Sequence, residues 1–270
     1  MTPTDEVTPP PLSSRRRTTV RLMLGLIGVG VFLHLTIRDA WGSPTSTLFY
    51  ALPRPLLAIV GLLAAGLARR LTRREFGISL GLAVLLCGWV CYRDVRWTNP
   101  VIVPSEVRPL RIVLWNAAHL ARGRAVVAQH IQKWDADLIG IVEAGPTEKR
   151  DLDDWKRRLP GYEVASPHSQ SLILVRGTIK LHDKVSLGKD SDAMPATVTI
   201  DGQTLEIVLV DLLSNVYLSR SEPLQNLSRM LDAAPHRAQI VMGDFNTPPE
   251  SVAFVPLQRQ YRDAFDVAGV

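Results

Sequence analysis

Three apolar runs in the second half of the chain each end on a residue suited to handling a cation or a phosphate. Asn116 closes residues 110–115, Glu143 closes residues 138–142, and Gly243-Asp244-Phe245-Asn246 closes residues 239–242. Runs of this length and composition read as buried strands. The C-terminal ends of strands converge on one rim of a sheet, where α/β folds commonly build their sites. Two carboxylates and two carboxamides on one rim, with no Cys or clustered His, suit a hard, oxygen-seeking cation such as Mg2+ (or Mn2+). Such a cation polarises a phosphoryl group and activates water. Each residue also admits a plainer role. Asn116 can turn the chain, Glu143 can be a solvated strand end, and Asp244 to Pro248 can form an Asx turn before proline.

The surrounding pattern supplies elements to position these residues. Residues 110–115, 138–142, 171–175, 196–200, 206–210 and 239–242 read as strands, with Asp201-Gly202 as a two-residue hairpin signal. Residues 123–134 carry Val126, Val127 and Ile131 on one helical face. Residues 147–159, 223–233 and 251–261 read as further helices, the first ended by Pro160-Gly161.

The same blocks carry a family resemblance. Arg111-Ile-Val-Leu-Trp-Asn116, Asp135-Ala-Asp-Leu-Ile-Gly-Ile-Val-Glu143 and Ile240-Val-Met-Gly-Asp-Phe-Asn-Thr-Pro-Pro249 resemble, in order, blocks of the endonuclease/exonuclease/phosphatase family. That family includes DNase I-like nucleases, inositol polyphosphate phosphatases and neutral sphingomyelinases. The resemblance covers roughly residues 108–270. It implies an α/β (α+β) fold, a DNase I-like two-sheet sandwich flanked by helices. It also implies that Glu143 binds the cation with help from Asn116, that Asp244 orients the attacking water, and that Asn246 contacts phosphoryl oxygens. After residues 206–210 the family usually has a His, where this chain has Asp211; a carboxylate there can serve the site or cap the strand. His119, three residues past Asn116, reads as a solvated loop histidine that can also reach the rim. The family closes on an Asp-His pair. No Asp-His dipeptide occurs in these 270 residues, so the resemblance implies a domain lacking its C-terminal strands, with open sheet edges and lowered activity.

Charge divides the chain. Residues 1–100 hold 12 Lys+Arg against 5 Asp+Glu, a net of +7; residues 101–270 hold 19 against 21, a net of −2. The basic excess therefore lies outside the family-like region, which makes duplex DNA a less favoured partner than a phosphoester of lipid-like or small character.

The N-terminal part has three apolar runs, residues 22–37, 48–68 and 76–92. Spans need about 17–25 residues, so the reading is about three transmembrane helices preceding the sandwich. A buried soluble helix or re-entrant segment is the alternative for the middle run, which carries Pro53-Arg54-Pro55. A cleaved signal peptide is the alternative for the first. Arg15, Arg16, Arg17 and Arg21 precede the first run, and Arg69, Arg70, Arg73 and Arg74 separate the second from the third. The positive-inside rule then places the start in the cytoplasm and the C-terminal domain outside it, in a multi-pass cell-membrane protein whose partner is the lipid bilayer. The expected organisation is a disordered tail (1–19), a membrane region (20–98), a linker (99–109) and the family-like domain (110–270). The rival functions are a cation-binding module without catalysis, and a nuclease.

Overall fold

The computed structural model describes residues 12–41, 45–95, 108–215, 217–233 and 238–268; most of the expected linker and residues 1–11 of the tail lie outside them. The first helix, α1 (Leu12–Phe32), takes in residues 12–19 of the segment expected to be disordered. A helix once nucleated extends cheaply. It runs into a π-helical turn at Leu33–Ile37. The middle apolar run is broken: α2 (Thr45–Ala51) and α3 (Arg54–Ala68) meet at 65°. Pro53 precedes α3 and Pro55 lies in its first turn, where proline ends one helix and starts another. At 15 residues α3 reaches only about 22 Å, short of a hydrocarbon core of about 30 Å. The fourth helix, α4 (Arg73–Asp94), starts on a capping box between Thr72 and Glu75.

Two helical stretches, Ser14–Ile37 and Arg73–Asp94, are long and apolar enough to cross a membrane, and the bent pair makes a third if it counts as one span. Close approach is set by small residues. A Cβ on Gly30 would lie 2.6 Å from Leu57, and one on Gly61 would lie 3.3 Å from the Ala83 backbone. Ile27, Leu57 and Leu86 fill the seam. Leu22, Val84 and Leu85 face outward at 62–72% exposure, so these helices present an apolar exterior.

From residue 108 onward two mixed sheets pack face to face. The first contains β1 (Ile112–Asn116), β2 (Leu138–Val142), β3 (Glu163–His168) and β4 (Ser171–Val175) in the order β1-β2-β4-β3. The second contains β5 (Thr178–Leu181), β6 (Val185–Ser186), β7 (Asp192–Ile200), β8 (Gln203–Asp211) and β9 (Gln239–Asp244), in the order β5-β7-β8-β9 with β6 also on β7. Asp201 and Gly202, at φ 49° and 77°, form the β7–β8 hairpin turn that such positive angles require.

Each sheet holds one parallel pair linked through a helix. α5 (Arg124–Trp134) joins β1 to β2, and α7 (Ser221–Asp232) joins β8 to β9. A parallel pair aligns its C-terminal ends, so Asn116 lies opposite Val142, beside Glu143, and Asp211 lies opposite Asp244. Leu138, Val142, Ile173 and Val175 meet Met194, Ala196, Val198, Leu209 and Met242 between the sheets. Gly140 permits this contact, because a Cβ there would stand 2.9 Å from Met242 Cε. Ile139, Ile141, Leu172 and Leu174 turn the other way, onto Val127 and Ile131 of α5 and Trp155 of α6 (Lys149–Arg158). Being buried on both faces is why β2 and β4 read as continuous apolar runs. Truncating the fully buried Trp155 to alanine would cost roughly 3–5 kcal/mol.

Residues 251–261 do not form the single helix expected. They make a 3-10 turn at Val252–Phe254 and a short α8 (Val255–Gln258) started by Pro256, and α9 (Ala264–Ala268) follows. β1 and β9 are edge strands, and no further strand pairs with either among the described residues. Ile112, Leu114, Ile240, Met242, Phe254 and Tyr261 line a groove of about 670 Å3 between them.

The helical layer docks onto the sandwich through polar contacts. Asp39 accepts hydrogen bonds from Ser251 Oγ, from the Val252 N–H at 2.9 Å and from Tyr50 Oη at 2.7 Å. Arg38 donates to the Glu250 carbonyl at 3.2 Å. Arg54 pairs with Asp94 and, at 3.3 Å, with Glu250. At the opposite end of the layer Arg17 pairs with Glu75 at 2.9 Å, beside Arg73 and Arg74.

Candidate functional site

The aligned strand ends bring Asn116, Glu143 and Asp244 into direct contact. Asn116 Nδ2 donates to Glu143 Oε1 at 3.1 Å and to Asp244 Oδ2 at 2.9 Å. Asn116 Oδ1 accepts the Ala118 N–H at 2.9 Å, which fixes the orientation of its carboxamide. One amide thus bridges two carboxylates from different sheets. Both Glu143 and Asn246 sit in the left-handed backbone region, at φ 52° and 46°. That conformation is uncommon outside glycine, and residues held in it cluster at functional sites.

Asp244 is held from two sides, its Oδ1 accepting the Asn246 N–H at 2.9 Å. Asn246 Nδ2 donates to the Leu212 carbonyl at 2.7 Å, and the Leu212 N–H donates to the Asp244 carbonyl at 2.9 Å. The β8 and β9 exits are therefore stitched together. Gly243 makes this possible: at φ 151°, a Cβ there would fall 1.9 Å from the Val210 carbonyl oxygen.

Asp211 borders the cluster as the register partner of Asp244. Burial and the negative charges of Asp244, Glu143 and Asp192 push its carboxyl above the usual carboxylate range, while His168 pulls it back. The rim therefore carries an excess of negative charge. His119 Nε2 lies 3.6 Å from Glu143 Oε2, so this loop histidine is solvent-exposed yet reaches the site. Among the described residues no three His, Cys, Asp or Glu side chains form a ready-made metal cage.

Two residues without a sequence signal join the site. His168 ends β3, whose antiparallel pairing through β4 returns it to the rim where β2 ends. The turn that follows it contacts the site directly, since Ala144 N–H donates to the Gln170 carbonyl at 2.6 Å. Arg220, on the loop after β8, is 3% exposed and lines a cavity with Asn246. Only the pairing of β3, a strand missed in the sequence, could have revealed His168. Nothing in the sequence distinguishes Arg220 from a solvated arginine.

No curated protein matches the chain significantly in sequence. A humanised Danio rerio TDP2 carrying 14 mutations is 19% identical, with 54% of this chain and 70% of that chain covered and a TM-score of 0.43. A Bacteroides thetaiotaomicron mannosyl-6-phosphatase is also 19% identical, at 54% and 70% coverage and a TM-score of 0.40. The human Nocturnin catalytic domain, with a bound sulfate anion, is 20% identical, at 54% and 68% coverage and a TM-score of 0.39. The family description "Endonuclease/Exonuclease/phosphatase family" matches residues 113–268, a stretch that takes in Asn116, Glu143, Asp211, Asp244 and Asn246, and the chain belongs to that family.

Proposed function

We infer that the chain is a membrane-anchored phosphoesterase that uses a divalent cation, Mg2+ or Mn2+. The observation that carries this reading is the Asn116 bridge between Glu143 and Asp244 at one rim. The donor set fits such a cation. Mg2+ keeps several waters and takes one or two carboxylates plus substrate phosphate oxygens, so it does not need a closed protein cage. The excess negative charge around Asp211 is a second argument for a cation at this rim. Glu143 would hold the cation, and Asn116, whose NH2 faces both carboxylates, would orient Glu143 and Asp244 around it; when bound, the cation supplies a Lewis acid and neutralises charge on the phosphoryl oxygens.

The protein's own groups have separate tasks. Asp244, restrained through both carboxylate oxygens, would accept the proton of an attacking water. Asn246 spends one N–H on the Leu212 carbonyl and would offer the other to a phosphoryl oxygen. His119, beside Glu143, and His168, whose charge acts on Asp211, are imidazoles at this rim that could supply a proton to a leaving group. A non-catalytic cation-binding module is the rival reading.

The outward-facing apolar residues support the membrane anchor. Docking of the sandwich at the helix ends remote from Arg17, Arg73 and Arg74 supports an extracytoplasmic domain. The test is hydrolysis of bis-p-nitrophenyl phosphate and p-nitrophenyl phosphate by the full chain in detergent. Turnover should require Mg2+ or Mn2+ and vanish in Glu143→Ala. Cation binding without turnover on either ester would leave the binding module standing instead.

A further inference from the structure

A cavity of about 240 Å3 opens beside Asn246, and one of its walls belongs to the helical layer. His34, Phe49, Tyr50 and Pro53 face Ser214 and Arg220 from the β8 exit and the segment from Asn246 to Glu250 from the β9 exit. One rim residue, Asn246, and the helical layer thus line one chamber.

Arg220 is the telling residue in it. Its guanidinium is buried, at 3% exposure, yet the ion pairs of the described residues include no carboxylate for it. Nη1 and Nη2 reach only the carbonyls of Leu218 at 3.4 Å and Ser214 at 3.2 Å, and Nε has no partner. The Tyr50 ring stacks against it, its centroid 4.9 Å from Cζ. The carboxylates near the chamber are engaged elsewhere: Glu250 with Arg54 at 3.3 Å and His34 at 3.7 Å, and Asp39 with Tyr50, Ser251 and Val252. A buried cation without a counter-charge is strongly unfavourable, and a planar guanidinium with free N–H groups matches a phosphate.

We propose that Arg220 and Asn246 form a phosphate subsite for a membrane amphiphile, whose headgroup enters the chamber while its tail stays among the helices. This deepens the phosphoesterase reading and rests on it for the role of Asn246. Size supports a headgroup alone, since pockets that engulf a whole small molecule run to about 300–1,000 Å3. Composition supports delivery from the bilayer side: Phe49, Tyr50 and Pro53 lie at the α2–α3 break, next to the outward apolar faces of Leu56 and Ile59. A soluble phosphoester would gain nothing from that wall.

The experiment is titration of the full chain in maltoside micelles, with EDTA present to silence cation binding. The probes are inorganic phosphate and dihexanoyl phosphatidic acid. The amphiphile should bind at least about tenfold tighter than phosphate, and the two should compete. Arg220→Gln should weaken both by about tenfold or more, and Arg220→Lys, which keeps the charge but loses the fork, by less. Equal affinity for the two probes would assign the chamber to a soluble anion and overturn the lipid assignment. Unchanged binding in a folded Arg220→Gln, or in Arg220→Lys together with loss of the tenfold preference, would overturn the subsite. Glu143→Ala should keep this EDTA-phase binding, so a failure of catalysis leaves the subsite standing and a failure of the subsite leaves catalysis testable.

Discussion

Asn116 and Asp244, 128 residues apart, meet at 2.9 Å through a single amide hydrogen bond that joins the two sheets of the sandwich at their rim. The same amide also restrains Glu143. Replacing Asn116 with leucine removes a donor from two carboxylates at once and leaves them to repel. Hydrolysis should fall by about 10²-fold, in the range for loss of one preorganised donor. Because the side chain is exposed, the stability change should stay under about 1 kcal/mol. Activity and chemical denaturation measured on the same preparation check this; a large stability loss with normal turnover would make Asn116 a strand cap only.

Asp211 gives the domain a pH-dependent stability of defined sign. Its carboxyl is raised in the folded state by burial and by Asp244, Glu143 and Asp192, so the native chain holds this proton more tightly than the unfolded chain does. The strain of ionising it is absent below the ordinary value of 3.8, grows as pH rises through the raised value, and is fully present above it. Asp211→Asn should therefore raise the melting temperature at neutral pH and have no such effect at pH 3. Saturating Mg2+ should shrink the difference at neutral pH. An Asp211→Asn protein that melts lower at neutral pH would show that this carboxylate has a stabilising partner.

Gly243→Ala should be among the most damaging single substitutions in the domain. The added carbon has no room against the Val210 carbonyl, so the β8–β9 register must break where Asp211 and Asp244 pair. A loss of roughly 3 kcal/mol or more is expected. Thermal melts in detergent read it directly, and a wild-type melting temperature would mean the strands separate there without penalty.

Asp39 holds the helical layer to the sandwich. Removing its carboxylate leaves the Tyr50 and Ser251 hydroxyls and the Val252 N–H without their acceptor. Asp39→Ala should lower stability by roughly 2–4 kcal/mol and speed proteolysis between the two layers. Unaltered cleavage kinetics would show that Arg38 and Arg54 suffice for docking.

The parts of this fold that were legible in the sequence are those buried on both sides. Residues 138–142 and 171–175 are strands at the expected bounds, because both faces need apolar side chains and the run has no gaps. The five rim residues were legible for a related reason, since each terminates or follows such a run. β3 and β5 were missed. They hold Ser166, Pro167 and Thr178, lie at sheet edges, and are largely part-buried or exposed, so no alternation marks them. Pro53-Arg54-Pro55 marked the middle apolar run as the one open to a re-entrant reading, but composition alone does not give the 65° bend there. Arg220 was illegible because its burial without a carboxylate among the described residues is defined only by three-dimensional packing.

The seam between β1 and β9 has a further consequence. Each strand presents a row of backbone donors and acceptors to the groove, and such a row is indifferent to the sequence that pairs with it. Leu114 and Ile240 beside it are apolar and partly open. If the proposed anchor holds copies in one membrane plane, this seam, rather than the well-packed interior, is where crowded chains would begin to template one another.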